Sequence, residues 1–163
     1  MAPIDVIQLA ALAVLVVVAA FLGAAEAALL RVSRVRAEVM AADGSRRAST
    51  LISLLDDLPV VLNTVLLVVL LVQIAAATLA GAVAARLFGS IAVTIASVAL
   101  TVVLFVYTEA IPKTYAVHHP EQVALWTAPV LRTITFVLRP IVNVLVRFAD
   151  LQAPGTGVTT PCL

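Results

Sequence analysis

An all-α integral membrane fold, with three transmembrane helices and cytoplasmic amphipathic juxtamembrane helices, is predicted by three observations. The first is composition: 163 residues, 63% of them apolar and 12% charged, with a mean hydropathy of +1.17. A soluble domain is nearer half apolar and a quarter charged, and a chain this short has too little interior to hide the excess. The second is segmentation, since uncharged runs cover 6–25, 58–85 and 87–108, which is 20, 28 and 22 residues. About 20 helical residues cross a hydrocarbon core of about 30 Å. The third is charge asymmetry, because nine of the ten basic residues fall on one side if each run crosses once. The bilayer is the solvent that fits. A soluble enzyme, a nucleic-acid binder and a disulfide-stapled secreted domain do not.

In lipid every backbone polar group must be satisfied within the segment, and these runs cannot close a barrel, so they are helices. The first span is read over about 6–30. Its Ala25-Glu26-Ala27 has the form of a signal-peptide cleavage site. The start Met-Ala-Pro-Ile-Asp carries no positive charge, however, and a 20-residue apolar run is long for a signal sequence. The span is therefore kept. Arg31, Arg34, Arg36, Arg46 and Arg47 follow it, and Lys113, Arg132, Arg139 and Arg147 follow the third span. The positive-inside rule makes that side cytoplasmic, with the amino terminus outside and the carboxyl terminus inside a multi-pass protein of the cell membrane.

Residues 31–57 read as cytoplasmic helices broken at Asp43-Gly44. Val32, Val35, Val39 and Met40 recur at helical spacing, as do Leu51, Leu54 and Leu55. The second and third spans are placed at about 58–85 and 87–111. In the second, Ala77, Gly81 and Ala85 are four apart, as are Ala76, Ala80 and Ala84, and Ala20, Ala24 and Ala28 repeat the device in the first. Such spacing permits close helix approach within one protomer or across a dimer face. Pro120-Glu121 marks a helix start. From there to 150, Arg132, Arg139 and Arg147 fall along one side of an apolar helix that Pro129 and Pro140 are expected to kink. With Trp126 near its start, that helix reads as a belt along the membrane interface. Residues 151–163, with Pro154-Gly155-Thr156-Gly157, read as a tail or linker. The single Cys162 forms no internal disulfide.

Glu26 and Glu109 are the informative charges, because each ends an apolar run where a carboxylate is costly unless paired, protonated or bound to an ion. Pro112 follows Glu109 and frees a carbonyl one turn earlier. A carboxylate beside freed carbonyls offers the hard oxygen ligands of a Mg²⁺ or Na⁺ site. The simpler account is an ion pair between Glu109 and Lys113 at i, i+4, with Glu26 paired to Arg31. Spacing favours the pair and leaves both open. His118-His119 beside Glu121 reads as a polar cap before Pro120 rather than a metal site. No zinc-binding His pair, phosphate loop or nucleophile–base set is present in the sequence, so no enzyme is expected.

Three motifs carry a family resemblance. Phe21-Leu22-Gly23-Ala24-Ala25-Glu26-Ala27-Ala28-Leu29 resembles the F-F-S-x-S-E-T-A-L signature ending the first span of the CNNM/CorC transmembrane domain. Tyr107-Thr108-Glu109-Ala110-Ile111-Pro112-Lys113-Thr114 resembles its F-G-E-I-L-P-K-T, and His119-Pro120-Glu121-Gln122-Val123-Ala124 its N-P-E-x-V-A. The order and spacing match across residues 1–150. The resemblance implies a three-span domain with a cytoplasmic juxtamembrane belt, usually a homodimer, and transport or export of Mg²⁺ coupled to Na⁺; a heterodimer with a paralogue belongs to the alternative reading below. Bacterial members often carry the name hemolysin-like. The family's cytoplasmic CBS-domain pair does not follow within these residues, so the chain reads as a fragment, a truncation or a short member.

The family holds Mg²⁺ with serines of the first span, asparagines of the second and the glutamate of the third. Here the serine positions are Gly23 and Ala25, and the asparagine motif aligns with Val69-Leu70-Leu71-Val72-Gln73. Of the family's ligand positions only Glu109 is kept, with Thr108 and Gln73 as replacement oxygens; Glu26, the charge that ends the first span, completes the candidate ligands, and Pro112, Lys113 and the closely spaced Gly81 are given structural roles. Mg²⁺ demands near-octahedral oxygen and gives up water reluctantly, so this site is expected to bind it weakly. A non-transporting scaffold or regulatory subunit, paired with a ligand-complete paralogue, is the alternative.

Overall fold

The computed structural model describes the backbone of residues 3–152, and side chains over 6–86, at 95, 98 and 99, and over 101–144. The 151–163 tail, beyond its first two helical residues, lies outside the described residues, as does Cys162. Six α-helices and one π-helical turn account for nearly all of the described chain, and no strand occurs among the described residues. They are α1 (Pro3–Arg31), α2 (Arg34–Ala42), α3 (Arg46–Asp56), α4 (Leu58–Phe105), the π turn (Val106–Ala110), α5 (Ile111–His118) and α6 (Pro120–Gln152).

The connection between α2 and α3 follows the expected break. Gly44 sits at φ 88°, and Ser45 caps α3 by accepting a hydrogen bond from the Ala48 amide at 3.3 Å. A Cβ on Gly44 would meet nothing within 4 Å, so Gly44→Ala carries only the left-handed backbone penalty of about 1–2 kcal/mol. A lower melting temperature is expected for Gly44→Ala, with Gly44→Asn closer to the parent. The buried faces differ from the sequence pattern in α2. Its buried residue is Ala37, whereas Val35 and Val39 are exposed. In α3 the spaced Leu51 and Leu54 are buried as their periodicity suggests.

The long stretch α4 is helical throughout, but it is not a straight rod. The Gln73 side-chain amide donates to Glu109, 36 residues further on. At 1.5 Å per residue, a straight helix would set the two about 54 Å apart. Leu104 also packs against the cluster formed by Leu12, Ala76 and Ala80. The chain therefore doubles back between Ala80 and Leu104, and α4 contributes two limbs side by side. Of the small-residue rows, Ala76, Ala80 and Ala84 face the interior, with Ala76 and Ala80 packed against Leu12 of α1. A Cβ on Gly81 would touch nothing within 4 Å, so that position does not require a glycine for packing within the chain.

By length and composition, three helices among the described residues suffice to cross a membrane: Val6–Arg31, Leu58–Arg86 and Pro120–Val144, with mean hydropathies of 2.7, 2.6 and 1.2. The contacts of α6 distinguish it from the other two. Glu121 pairs with Arg36 of α2 at 2.5 Å, Trp126 lies under the Arg47 guanidinium at 5.2 Å, and Arg139 pairs with Asp57 at 3.3 Å. All three partners belong to the polar segment between α1 and α4. Positions 121 and 139 are about 27 Å apart along a helix, so α6 runs along that segment rather than away from it. It continues through Pro129 and Pro140 without a break.

The main core lies where these helices meet. Ala25, Ala28, Ala37, Ala116, Ala124 and Ala128 are fully buried, filled in by Leu22, Leu29, Leu51, Val65 and Leu131. Alanines at the crossing points let backbones approach closely, and the larger residues occupy the spaces between. A smaller cluster around Leu12, Ala76 and Ala80 ties α1 to the two limbs of α4.

Candidate functional site: two carboxylates on one ammonium

Backbone chemistry shapes the site first. Pro112 has no N–H, so an α-helix would leave the Thr108 carbonyl without its partner. The chain answers with a π turn over Val106–Ala110, in which the Ile111 amide bonds to the Val106 carbonyl five residues back. Such turns insert an extra residue into a helix and often mark functional positions. This one carries both Thr108, which is buried, and Glu109, whose side chain is 22% exposed.

Packing of α1 against this turn brings the second acid in. Gly23 lies against Thr108, and a Cβ there would stand 3.3 Å from the Thr108 carbonyl oxygen and 3.6 Å from Lys113 Cε. One turn on, Glu26 is 14% exposed and lies 3.4 Å from Lys113 Nζ through Oε2. Lys113 reaches Glu109 Oε2 at 2.8 Å. One ammonium thus bridges carboxylates from two helices, leaving the trio with a formal charge of −1. The sequence-predicted Glu109–Lys113 pair is present. The partner proposed for Glu26 is corrected from Arg31 to Lys113, because α5 folds back onto α1 and delivers the ammonium there.

The other Glu109 oxygen accepts from the Gln73 Nε2 amide. Behind this pair lies a cavity of about 320 Å³, bounded by Ala19, Ala76, Thr101, Thr108, Gln73 and Glu109. Its lining is mostly apolar, so few oxygens converge on it. Turning the Gln73 amide over would present Oε1 beside the Glu109 carboxylate, where a cation would find two protein oxygens from different limbs. Of the aligned ligand positions, Gly23 does face the site, but Ala25 is buried in the main core and Val69 packs there too. Leu70 and Leu71 point outward and are exposed.

The structure therefore brings together Glu26, Thr108, Glu109, Gln73 and Lys113, with Pro112 setting the backbone. Gly81 stands apart. The histidines are used otherwise: His118 Nδ1 lies 2.8 Å from the Thr114 carbonyl, and His119 stacks on Tyr115 at 4.8 Å. No cluster of three or more His, Cys, Asp or Glu suited to a metal occurs among the described residues. Sequence spacing missed the second partner of Lys113. A basic residue one turn beyond an acid, facing a second acid at the end of another span, was the available signal.

Residues 10–161 match the model of the Cyclin M (CNNM) transmembrane N-terminal domain. The chain belongs to the CNNM transmembrane family. Two curated relatives agree. A UPF0053 protein of Haemophilus influenzae is 30% identical over 131 residues, covering 80% of this chain and 31% of its own length. A UPF0053 inner membrane protein, YfjD, of Escherichia coli strain K12 is 34% identical over 143 residues, covering 88% and 33%. The chain spans about a third of the length of these relatives. As a CNNM domain it is a multi-pass membrane protein, and the π turn with its carboxylate falls at the E-x-x-P-K-T motif of the family resemblance.

Proposed function

We propose that this CNNM domain is the membrane part of a divalent-cation transporter with Mg²⁺ as cargo, Na⁺ as the coupling ion, and Glu109 as the charged ligand. In this reading the chain performs no chemical conversion, the amino terminus faces outward, and α6 rests along the cytoplasmic interface. One observation carries the reading. Glu109 stands in the apolar part of the molecule at a π turn, beside Gln73 and Thr108, on the wall of a cavity large enough for a hydrated ion. A carboxylate in such surroundings marks an ion pathway in membrane proteins. Lys113 holds the cation's place in this state, so entry of Mg²⁺ requires the ammonium to withdraw from Glu26 and Glu109.

The competing ammonium and the apolar substitutions Gly23, Ala25, Val69 and Leu70 together favour a second reading, a scaffold subunit that pairs with a ligand-complete paralogue. Thermal unfolding in detergent separates the two. For the transporter, Mg²⁺ gives a saturable rise in melting temperature that Glu109→Ala abolishes, reaching about 2.7 kcal/mol of stabilisation at a hundredfold excess over Kd. Mg²⁺ flux into liposomes containing the chain alone then follows. A flat response to Mg²⁺ together with no flux overturns the transporter reading for this chain by itself.

A further inference from the structure

Apart from the carboxylate site, and sharing no lining residue with it, a cleft of about 530 Å³ opens between the α3–α4 corner and α6. Its polar rim is Ser53, Asp57, Arg132, Thr133, Thr135 and Arg139, and its apolar wall includes Phe136. Arg132 and Arg139 are seven residues apart on α6, two turns and about 10 Å on one face, close enough for both long side chains to reach a group held between them. Arg139 is shared with Asp57 at 3.3 Å. With Asp57 set against two guanidinium groups, the cleft carries a formal charge of +1.

Independently of these charges, the Thr135 Oγ1 is buried and has no hydrogen-bond partner. A buried hydroxyl left unpaired is unfavourable, and this one lines the cleft. Two guanidinium forks with a hydroxyl between them match the oxygens of a phosphate group. The surroundings add an apolar requirement, because Phe136 is 79% exposed and Val137, Ile141 and Val144 are exposed along the same helix. A free phosphate leaves those side chains uncovered, whereas a phospholipid seats its phosphate on the arginines and its acyl chains on the Phe136 side.

We infer that the cleft between α3 and α6 is a binding site for the headgroup of an anionic phospholipid, held by Arg132, Arg139 and Thr135. This inference does not depend on the cation reading. It is tested on the purified chain in detergent by native mass spectrometry and thermal unfolding, titrating phosphatidylglycerol, phosphatidylcholine and inorganic phosphate in parallel. Phosphatidylglycerol is expected to bind and stabilise. Arg132→Gln, which removes an exposed side chain from the cleft, is expected to weaken that binding about tenfold, and Thr135→Val to weaken it in the same direction. Arg46→Gln, the same charge change at the start of α3, is expected to leave it unaltered. Equal binding of phosphatidylcholine, or no effect of Arg132→Gln beyond that of Arg46→Gln, overturns the site. Inorganic phosphate stabilising as well as phosphatidylglycerol at equal concentration overturns the lipid assignment.

Discussion

Lys113→Met is expected to destabilise the protein by about 3 kcal/mol in metal-free buffer, and to make it respond to Mg²⁺ far more strongly than the parent does. The first effect follows from charge. Lys113 is the counter-ion of both Glu26 and Glu109, at 3.4 and 2.8 Å, and the two carboxylates are 14% and 22% exposed. Removing one partner of a largely buried ionic group leaves uncompensated charge, at a cost of about 3–5 kcal/mol. The lower end applies because the lysine is itself 37% exposed. The second effect rests on the proposed cation reading, since two carboxylates without an ammonium attract a divalent ion, whereas in the parent the ammonium competes with it.

Glu26→Gln combined with Lys113→Met separates this account from simple loss of packing. Methionine keeps much of the apolar stem, and the double variant retains one carboxylate rather than two, so stability in chelator should recover in part. Non-additivity of this kind is expected for groups in one network. The check is a melting curve for the parent, both single variants and the double variant, in chelator and across a Mg²⁺ titration. If Lys113→Met melts with the parent in chelator and stays unresponsive to Mg²⁺, the ammonium is not the group that holds the two acids.

Much of the architecture is legible in the sequence, because the signals that specify it are local. The apolar run of α1, the Asp43-Gly44 break and the Pro120 start depend on neighbouring residues, and each appears in the chain where its signal lies. The buried side of α2 was not legible. Its valines have helical spacing but face outward, while the small Ala37 makes the contact. Hydrophobic periodicity locates a helix, but in a membrane protein lipid is as apolar as the core, so periodicity does not say which face meets protein. The site divides in the same way. The Glu109–Lys113 pair is an i, i+4 relation, whereas Glu26–Lys113 depends on α1 and α5 approaching at Gly23. The π turn was legible only as the proline that provokes it.

Leu131→Ala is expected to cost about 2–5 kcal/mol, while Phe136→Ala, five residues along the same helix, should leave unfolding stability within about 0.5 kcal/mol. Leu131 is fully buried in the main core with Ala28, Ala124 and Leu51, and Phe136 is 79% exposed. Their difference measures how α6 is held. If α6 is docked on the polar end of the bundle, deleting the Leu131 side chain opens a cavity among three helices that alanine cannot fill. The ion pairs at Glu121 and Arg139 are largely exposed, contributing about 0–1 kcal/mol each, so they cannot replace that packing. Phe136 faces out of the protein in this arrangement, and its loss is felt in the surrounding lipid or detergent instead. A helix that crossed the membrane on its own would show no such contrast, because both side chains would sit in hydrocarbon whether or not the helix packed. Melting curves of the two variants in the same detergent read the contrast directly, and equal shifts would mean that α6 is not held through Leu131.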